Sequence, residues 1–551
     1  MTSQNKYLPF VALAIIAAIS ITLKLHVFFV GSPYVTIDDN TLYEAGFLVW
    51  FGEPPPQRTY IESWVVGLSS ILTYTVKLAA SGNLDLININ LVADAYRDFV
   101  SAPDQYIYNY RALMLVADFG TAIVLFFFAR TIFREEPHAN WWAAASTSLF
   151  LLSYNTLWCY LVARPDTMTT FLVSLGTLLY YQSNFGDRKH YFYSSAVVLG
   201  IATGFKLHAS LFVVFFLADL IRQLGFLNSI KKAIPFGMLA LVAFFIAAGS
   251  PLFDPLLYIK LRALNIKDDE SPWIQWGDQV ITVLRGTGYI LAPIVIGGAT
   301  FSFIMYRNTL PPKIKSILFM SAILLATFLS IRQLRAYWML PALPIFLVAG
   351  IYLITRVRIK SLQAIALLTA GIIFFSQLYS QSHEFDNAHY GEMSKWVKDN
   401  VNSEDVIYII GYDTLFLPWN TTSLQNRKGA YEYLIQKSLH ENESYTHRHI
   451  RLWEERARLE LISMLNVKST SGFNYYGLNT SPLESLQGKV EFSDIKYVLS
   501  MQNYRTPEAD ELLARVQREF IKITTVNAPG GKAGTGGLPY DVYVRRKDDP
   551  K

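Results

Sequence analysis

Two adjacent carboxylates, Asp38 and Asp39, follow the first long apolar run of the sequence, and no basic residue stands near them in the chain. A carboxylate can act as a general base, which removes a proton from a hydroxyl group as that group attacks a carbon atom. Repulsion between adjacent carboxylates raises the pKa of one of them, which suits a base near neutral pH. The alternative is that Asp39 or Asn40 caps a helix at Thr41–Phe51, which accounts for one of the pair.

A third carboxylate, Asp166, follows Arg164 and Pro165 at the start of a later apolar run. Pro165 and Asp166 suit the first turn of a helix, because proline has the right backbone geometry and a carboxylate is favourable at the positive end of the helix dipole. That interpretation leaves Arg164 unexplained, and a guanidinium group is a natural partner for a phosphate. The functional interpretation places Asp166 opposite the first carboxylate pair in one site.

Lys206 and His208 interrupt an apolar run that otherwise extends from Tyr193 to Leu220. Because an ionisable side chain is costly at membrane depth, such residues are predicted to belong to a functional site. The alternative is a tight turn at 204–206 between two short helices, with the Lys206 ammonium group in water. Both interpretations place Lys206 on the same side of the membrane as Asp166.

Arg332 and Arg335 precede the apolar run Tyr337–Ile354. Loop charges put them on the side of the membrane where basic residues are rare, so they are predicted to have an anionic partner. The headgroup of a polyprenyl phosphate would supply that negative charge. The predicted phosphate-binding residues are Arg164, Lys206, His208, Arg332, Arg335 and Tyr337.

These residues have to be positioned by helices that cross a bilayer. The chain has 551 residues, of which 52% are hydrophobic and 17% are charged, and long apolar runs recur through its first two thirds. A helix needs about 20 residues to cross a bilayer. We therefore predict a polytopic α-helical membrane protein with about 11 transmembrane helices. The predicted spans are Tyr7–Val30, Arg111–Phe128, Trp141–Tyr160, Thr167–Gln182, Tyr193–Phe205, His208–Ile221, Ala233–Ala248, Thr287–Ile304, Ile317–Ile331, Tyr337–Ile354 and Leu362–Gln377.

Basic residues mark every second loop between these spans, and the positive-inside rule makes those loops cytoplasmic. This orientation puts the N-terminus inside and the candidate site residues outside. The basic residues are Arg130 and Arg134, Arg188 and Lys189, Arg222, Lys231 and Lys232, Arg307, Lys313 and Lys315, and Arg356, Arg358 and Lys360.

The membrane domain is predicted to be residues 1–380, with a large first extracytoplasmic loop at 31–109. Within that loop, helix Thr41–Phe51 is predicted to lie flat on the membrane surface. A second helix, Glu62–Leu78, is predicted to lie beside the membrane or half inserted in it. Asn83–Asn109 is predicted to be a polar loop with a short amphipathic piece.

Residues 381–551 are predicted to form a soluble α/β domain on the extracytoplasmic side. Short runs of β-branched and aromatic residues predict strands, and longer amphipathic patterns predict helices. The predicted strands are Val406–Ile410, Ile495–Leu499, Phe520–Val526 and Tyr540–Val544, and the predicted helices are Gly391–Asn400, Arg448–Leu465 and Pro507–Gln517.

The order and spacing of four motifs resemble those of the GT-C superfamily of membrane glycosyltransferases. The motifs are the acidic pair after the first helix, the Arg-Pro-Asp that opens a later helix, the Gly-Phe-Lys in a helical hairpin, and the segment Arg332–Pro344. Within the superfamily the chain resembles the branch of protein O-mannosyltransferases and lipid A aminoarabinose transferases, which is glycosyltransferase family 39-like. The likeness covers about residues 8–355.

The resemblance implies an inverting transfer of a sugar from a polyprenyl or dolichyl phosphate donor, outside the cytoplasm. It implies that Asp38 or Asp39 is the base and that Asp166 is a supporting acid. Lys206, Arg332 and Arg335 would hold the donor phosphate. Family members often have Asp-Glu in the first loop where this chain has Asp-Asp, so the resemblance does not select one of the two carboxylates.

The expected partners are the lipid bilayer, the sugar donor, and a lipid, glycan or protein acceptor, and no nucleic acid is expected. The single cysteine, Cys159, excludes an intrachain disulfide bond and any cysteine-based metal site. No cofactor is expected, and the sequence does not require a metal ion. A bacterial inner membrane is the expected location. The alternatives from other classes are a transporter or flippase for an anionic polyprenyl-linked lipid, and a scaffold protein without catalytic activity.

Overall fold

The chain forms two compact units. The first contains Met1–Phe28, Thr59–Glu62 and Arg111–His383, and the second contains Phe29–Arg58, Ser63–Tyr110 and Glu384–Lys551. The structure is a computed structural model. It describes residues 7–28, 43, 45–51, 60–82, 91–161, 165–249, 276–287, 289, 294, 310–330, 336–386, 390–411, 418–440, 455–456, 458–463, 465, 472–478, 481–486, 488–502, 504–526 and 539–546.

Helices dominate the described residues up to position 386. In chain order they are α1 (Leu8–His26), α2 (Tyr60–Ala80), α3 (Leu91–Ser101), α4 (Pro103–Ile132), α5 (Ala139–Leu151), α6 (Tyr154–Leu161), α7 (Asp166–Gln182), α8 (Lys189–Phe205), α9 (Ser210–Leu224), α10 (Phe226–Ala248), α11 (Trp276–Gly286), α12 (Pro312–Ser330), α13 (Leu343–Thr355) and α14 (Lys360–Asp386). Short 3-10 turns lie at Val49–Phe51, Leu207–Ala209 and Ala336–Ala342.

Eight helical segments within the described residues are long and apolar enough to cross a membrane. Their exposed side chains include many large apolar residues, which suit contact with lipid rather than water. On α10 and α14 these residues include Ile234, Met238, Leu241, Ile246, Leu362, Ile365, Leu368 and Ile372. The eight segments are Leu8–His26, Ser63–Ala80, Gln105–Ile132, Leu207–Leu224, Phe226–Ala248, Pro312–Leu329, Trp338–Thr355 and Lys360–His383.

The predicted span Trp141–Tyr160 is divided into two helices, α5 and α6. The break follows Leu152, where the backbone N–H of Ser153 donates to the carbonyl of Phe150 at 2.9 Å. The hydroxyl of Thr156 then donates to the carbonyl of Ser153 at 2.7 Å. Hydroxyl side chains compete in this way for backbone groups that would otherwise continue a helix. The predicted span Thr287–Ile304 lies largely outside the described residues.

The short amphipathic piece predicted within Asn83–Asn109 is confirmed as helix α3. The prediction of a loop is wrong for residues 103–109, which form the first two turns of α4. Aromatic side chains explain the difference, because the ring of Phe99 packs on those of Tyr43 and Tyr106 at 5.1 and 5.6 Å. The hydroxyl of Tyr106 also donates to Asp98 at 2.6 Å. A sequence that looks polar therefore buries a cluster of rings.

In the same unit, α2 crosses the helical segment 45–48 at two glycines. A Cβ atom on Gly67 would lie 2.1 Å from the carbonyl oxygen of Gly46 and 2.4 Å from the indole nitrogen of Trp50. The backbones can approach this closely only because neither residue has a side chain. Lys77 of α2 also forms an ion pair with Asp98 of α3.

Helix α13 lies at the centre of the helical bundle. Nearly every one of its residues is buried, from Leu343 to Ile354. A helix that is apolar on all sides is stable only inside a bundle, where other helices cover each face. The 3-10 turn Ala336–Ala342 leads into it and packs against α6, α7 and α11.

Helices α8 and α10 pack closely together. A Cβ atom on Gly200 would lie 2.2 Å from the carbonyl oxygen of Ala240, and one on Gly204 would lie 2.5 Å from the Cβ of Ala247. Small residues spaced four apart let two helices come close in a membrane, where packing replaces the hydrophobic effect between helices. This packing holds the end of α8, and Lys206 is the residue that directly follows α8.

We expect Gly200→Ala to lower the free energy of unfolding by about 1–3 kcal/mol, because the new methyl group overlaps a backbone oxygen. Gly371→Ala in α14 is the matched control, since a Cβ atom there meets no heavy atom within 4 Å. Alanine favours a helix over glycine by about 1 kcal/mol, so the control should be unchanged or more stable. Thermal unfolding of both variants in one detergent measures the difference. Equal melting temperatures would contradict the close α8–α10 contact.

The C-terminal part of the second unit contains a five-stranded sheet with the strand order β2-β1-β3-β5-β4. β1 is parallel to β2 and β3, and β5 is antiparallel to β3 and β4. Four of the strands lie where the sequence predicts them, whereas β2 is not predicted. The elements are α15 (Tyr390–Asn400), β1 (Val406–Ile410), α16 (Thr421–His440), β2 (Tyr475–Gly477), β3 (Ile495–Met501), α17 (Pro507–Glu519), β4 (Phe520–Val526) and β5 (Tyr540–Arg545).

Alternation along the strands gives the sheet two buried faces, because successive side chains of a strand point to opposite sides. Ile407 and Ile409 pack with Met393 and Val397 of α15 on one face. Residues of the other face, including Tyr408 and Ile410, pack with α16 and α17. The sheet is therefore covered by helices on both sides, as expected for an α/β arrangement.

Helix α16 is absent from the sequence-based prediction. Asn420 caps its start, because the side-chain oxygen accepts from the backbone N–H of Ser423 at 2.8 Å. The buried guanidinium group of Arg427 donates from Nη2 to the carbonyl of Tyr475 at 2.8 Å and lies 4.7 Å from the ring of Trp419. These contacts with β2 hold a helix whose sequence has no clear apolar stripe. The predicted helix Arg448–Leu465 is described only at 455–456, 458–463 and 465, and it is helical at 455–456 and 458–463.

Candidate functional site

Asp166 is the first residue of α7, as the helix-start interpretation predicts. The backbone N–H and the hydroxyl of Thr169 both donate to the carbonyl of Pro165, at 2.8 and 2.9 Å. The hydroxyl of Thr170 donates to the carbonyl of Asp166 at 2.7 Å. No side chain caps the start of α7, so the Asp166 carboxylate does not accept from the first N–H groups of the helix, and this side chain is fully buried. Helix capping therefore does not account for this carboxylate.

The Lys206 ammonium group lies 3.1 Å from the Oδ2 atom of Asp166. Lys206 follows α8 in an extended conformation, and the 3-10 turn Leu207–Ala209 comes directly after it. The predicted turn between two short helices is thus confirmed. However, Lys206 is not simply in water, because it forms an ion pair with a buried carboxylate and keeps only 22% of its side chain exposed.

The Asp166 carboxylate retains capacity to accept hydrogen bonds. Within the part of the chain that the structure describes, neither of its oxygens has a hydrogen bond of good geometry, although Lys206 is at ion-pair distance. An ionised carboxylate offers about four acceptor sites. A buried carboxylate with unused acceptors is unfavourable in a core, and such groups mark places where a ligand or a further side chain binds.

His208 lies beside this ion pair. The charges of Lys206 and Asp166 both act on its imidazole ring. Its Nε2 atom is buried and has no hydrogen-bond partner among the described residues. The structure therefore brings together Asp166, Lys206 and His208, which the sequence places in two separate motifs. We call these three residues the outer cluster.

The other predicted site residues can be placed only in part. Tyr337 lies in the 3-10 turn Ala336–Ala342, and this turn packs against α7, the helix that Asp166 begins. The predicted bases Asp38 and Asp39 and the predicted phosphate ligands Arg164, Arg332 and Arg335 lie outside the described residues. Their roles remain predictions.

Sequence reasoning missed a buried ion pair between α1 and α4. Lys24 and Asp118 contact each other directly, and their side chains are only 0% and 1% exposed. Each residue is an ionisable side chain within an apolar span, and such a side chain is costly inside a membrane unless it has a partner. The sequence could have suggested each residue singly, but nothing in it indicates that the two form a pair.

Arg111 is a second buried cation that the sequence pattern did not identify as a candidate site residue. It belongs to α4, it is fully buried, and its Nη1 atom donates to the carbonyl of Phe28 at 2.8 Å. Phe28 stands two residues after the end of α1. Arg111 thus ties α4 to the chain just beyond α1.

The described residues contain no group of three or more histidine, cysteine, aspartate or glutamate side chains that could hold a metal ion. The acidic pair of the first loop is outside this search. The expectation that no metal ion is required therefore stays a prediction.

Comparison with solved structures identifies the fold. The chain aligns with the crystal structure of ArnT from Cupriavidus metallidurans bound to undecaprenyl phosphate, with a TM-score of 0.54 and 10% identity, over 97% of this chain and 98% of that one. The apo structure of the same protein aligns with a TM-score of 0.46 and 10% identity, over 96% and 97%. No family model matches the chain, and no curated protein matches it. The chain has the fold of this ArnT structure, which is the fold that the resemblance of the sequence motifs predicts.

Proposed function

We propose that this chain is an inverting glycosyltransferase that moves a sugar from a polyprenyl phosphate to an acceptor. The acceptor group is a hydroxyl or phosphate of a lipid, a glycan or a protein. The observation that carries the proposal is the Asp166–Lys206 ion pair of the outer cluster. It supports the proposal because it lies within the fold of a protein that was solved with undecaprenyl phosphate.

The Lys206 ammonium group is suited to hold the donor phosphate. It has three N–H donors, and it is partly exposed while its ion pair with Asp166 orients it. The negative charge on the leaving phosphate grows as the bond to the sugar breaks, so a fixed cation stabilises the transition state more than the ground state. His208, Arg164, Arg332, Arg335 and Tyr337 complete the proposed phosphate-binding set.

Asp38 or Asp39 is the proposed base. It takes the proton from the acceptor hydroxyl as the acceptor oxygen forms a bond to the anomeric carbon. The bond between that carbon and the phosphate oxygen breaks at the same time, and its electron pair leaves with the polyprenyl phosphate. Attack from the face opposite the phosphate inverts the anomeric centre. Every step uses side chains of this protein, and none requires a cofactor.

The proposed setting is a bacterial inner membrane with the N-terminus in the cytoplasm. The distribution of basic loop residues supports this orientation. It places the outer cluster and the first acidic pair on the extracytoplasmic side. Residues 381–551 are proposed to be a soluble domain on the same side, following a membrane domain at 1–380.

A direct test supplies the purified protein with a panel of radiolabelled polyprenyl phosphate sugars. Release of the sugar is followed, either by hydrolysis or by transfer to a membrane lipid extract. We expect the wild type to release sugar from at least one donor. We expect Asp38→Asn or Asp39→Asn to abolish release while donor binding remains, because an amide keeps the shape of a carboxylate but cannot accept the proton.

The same assay separates the alternative functions. A transporter or flippase would bind the donor and leave its glycosidic bond intact in the wild type and in both variants. A scaffold protein would bind no donor. Equal release by the wild type and both Asn variants would exclude these carboxylates as the base.

A further inference from the structure

The start of α6 carries two polar side chains that the proposed mechanism does not use. Tyr154 and Asn155 are its first two residues, and they follow the break that divides the predicted span Trp141–Tyr160. Tyr154 is 9% exposed and Asn155 is 1% exposed. A broken helix is tolerated in a membrane where protein surrounds the break, and membrane transporters form substrate sites at such breaks. The break therefore places both residues where a substrate site is expected.

Contacts with α11 hold both side chains in place. The Nδ2 atom of Asn155 donates to the carbonyl of Gly286, the last residue of α11, at 3.0 Å. The guanidinium group of Arg285 lies 5.8 Å from the centre of the Tyr154 ring, which is within the range of a cation–π contact. Arg285 itself is exposed, so this contact is accessible from one side. The ring of Tyr154 and the amide group of Asn155 are thus oriented before any ligand binds.

Each of the two side chains keeps one polar atom without a hydrogen-bond partner among the described residues. These atoms are the hydroxyl oxygen of Tyr154 and Oδ1 of Asn155, and both are buried. The tyrosine hydroxyl can donate and accept a hydrogen bond, whereas the amide oxygen only accepts. Because a buried polar atom without a partner is costly, the two atoms indicate a ligand that supplies the missing bonds.

The 3-10 turn Ala336–Ala342 connects α6 and α11 with the outer cluster. This turn packs against both helices and also against α7, which begins at Asp166. It contains Tyr337, one of the proposed phosphate-binding residues. In the chain, α6 ends at Leu161, shortly before Asp166. Tyr154 and Asn155 therefore belong to elements that adjoin the proposed phosphate site.

We infer that Tyr154 and Asn155 bind hydroxyl groups of the donor's sugar and thereby select which sugar is transferred. The inference rests on the proposed function, because it concerns the same donor. Both side chains are neutral, and the free oxygen of Asn155 repels a phosphate, which is itself an acceptor. A sugar hydroxyl instead donates to that oxygen or accepts from the hydroxyl of Tyr154. In this arrangement Lys206 holds the phosphate and the neutral pair recognises the sugar.

Donor analogues that lack a single hydroxyl group test the inference on the purified full chain. The parent donor is the polyprenyl phosphate sugar that the wild type uses best, and each analogue has one sugar hydroxyl replaced by hydrogen. A hydrogen bond between neutral groups is worth about tenfold in kcat/KM. For the analogue that lacks the hydroxyl bound by Tyr154, we expect the wild type to show a kcat/KM about tenfold below that of the parent. Tyr154→Phe should use that analogue and the parent equally well.

Asn155→Ala should abolish the difference between the parent and a second analogue, because it removes the acceptor atom. It also removes the bond to Gly286, so thermal unfolding is measured for every variant. Tyr352→Phe is the matched control, since Tyr352 is also buried and the Arg356 guanidinium lies 4.5 Å from its ring centre, near the far end of α13. This control should keep the wild-type ratios within about twofold. A loss of stability alone lowers kcat/KM for all donors by one factor and leaves these ratios unchanged.

Failure of this inference differs from failure of the proposed function. If the wild type releases sugar from no donor, the proposed function is wrong and this inference falls with it. If the wild type releases sugar but Tyr154→Phe and Asn155→Ala keep the wild-type ratio for every analogue, only this inference is overturned. Ordered water, rather than the sugar, would then satisfy the two buried atoms.

Discussion

Lys206→Met should lower sugar release from the donor by about a thousandfold. Removal of one fixed donor that stabilises developing negative charge costs about a hundredfold to a thousandfold in turnover. The methionine side chain keeps most of the length and apolar contacts of lysine, so the change removes chiefly the positive charge. We expect the effect on turnover to exceed the effect on donor binding, because the negative charge on the leaving phosphate is largest in the transition state.

The same substitution also leaves Asp166 as an unpaired carboxylate with no exposed surface. Breaking a buried ion pair on one side costs on the order of 3 kcal/mol, so Lys206→Met should be less stable than the wild type. The double variant Lys206→Met, Asp166→Asn removes both charges and should recover most of the stability. It should not recover activity. This separation distinguishes a role in catalysis from a role in folding.

Lys232→Met is the matched control, because Lys232 also lies 3.1 Å from a carboxylate, that of Asp187, and its partner is largely exposed. An exposed ion pair contributes about 0–1 kcal/mol, and Lys232 is at the opposite end of the bundle. Sugar release, donor binding and thermal unfolding are measured for all four proteins. Recovery of activity in the double variant would show that Lys206 serves only to neutralise Asp166.

Lys24→Met is expected to reduce the free energy of unfolding by about 3–5 kcal/mol. The reason is that Asp118 would remain as a carboxylate that is 1% exposed between α1 and α4. Loss of one partner from a buried ion pair has this magnitude, because the remaining charge has neither water nor a counter-ion. Thermal unfolding and the yield of monodisperse protein in detergent both measure the effect.

The double variant Lys24→Met, Asp118→Asn should recover most of the lost stability, since a neutral pair no longer carries a buried charge. Lys437→Met is the control, because Lys437 lies 2.6 Å from Glu484 and both side chains are more than a third exposed. That exposed pair should contribute about 0–1 kcal/mol. A small effect of Lys24→Met, equal to that of the control, would mean that water reaches the α1–α4 ion pair.

The sequence by itself determined much of the secondary structure. Apolar runs of bilayer length predicted the positions of most long helices, because a backbone in lipid must satisfy its own hydrogen bonds and only a helix does so within one segment. Short runs of β-branched and aromatic residues predicted strands such as Val406–Ile410 and Phe520–Val526, because such side chains fit the pleated surface of a sheet. The Pro165–Asp166 dipeptide correctly predicted the start of a helix.

Elements that depend on specific side-chain contacts could not be predicted from hydrophobic periodicity. The helix α16 is held by Arg427 and Asn420 rather than by an apolar stripe of its own. The aromatic cluster around Phe99 makes a polar-looking segment helical. The division between α5 and α6 depends on local hydroxyl bonds at Ser153. Periodicity carries no information about these interactions.

Only the tertiary structure decided which charges meet. The sequence identified Asp166 and Lys206 as candidate site residues, but a helix start could also explain Asp166 and a solvated turn could explain Lys206. The 3.1 Å contact between them joins the two residues in one cluster. Close packing at Gly200 and Gly204 holds the end of α8, and Lys206 directly follows that end. An ionisable residue within an apolar run can be recognised from the sequence, because a charge is costly inside a membrane. Which residue pairs with it depends on the helices that pack beside it.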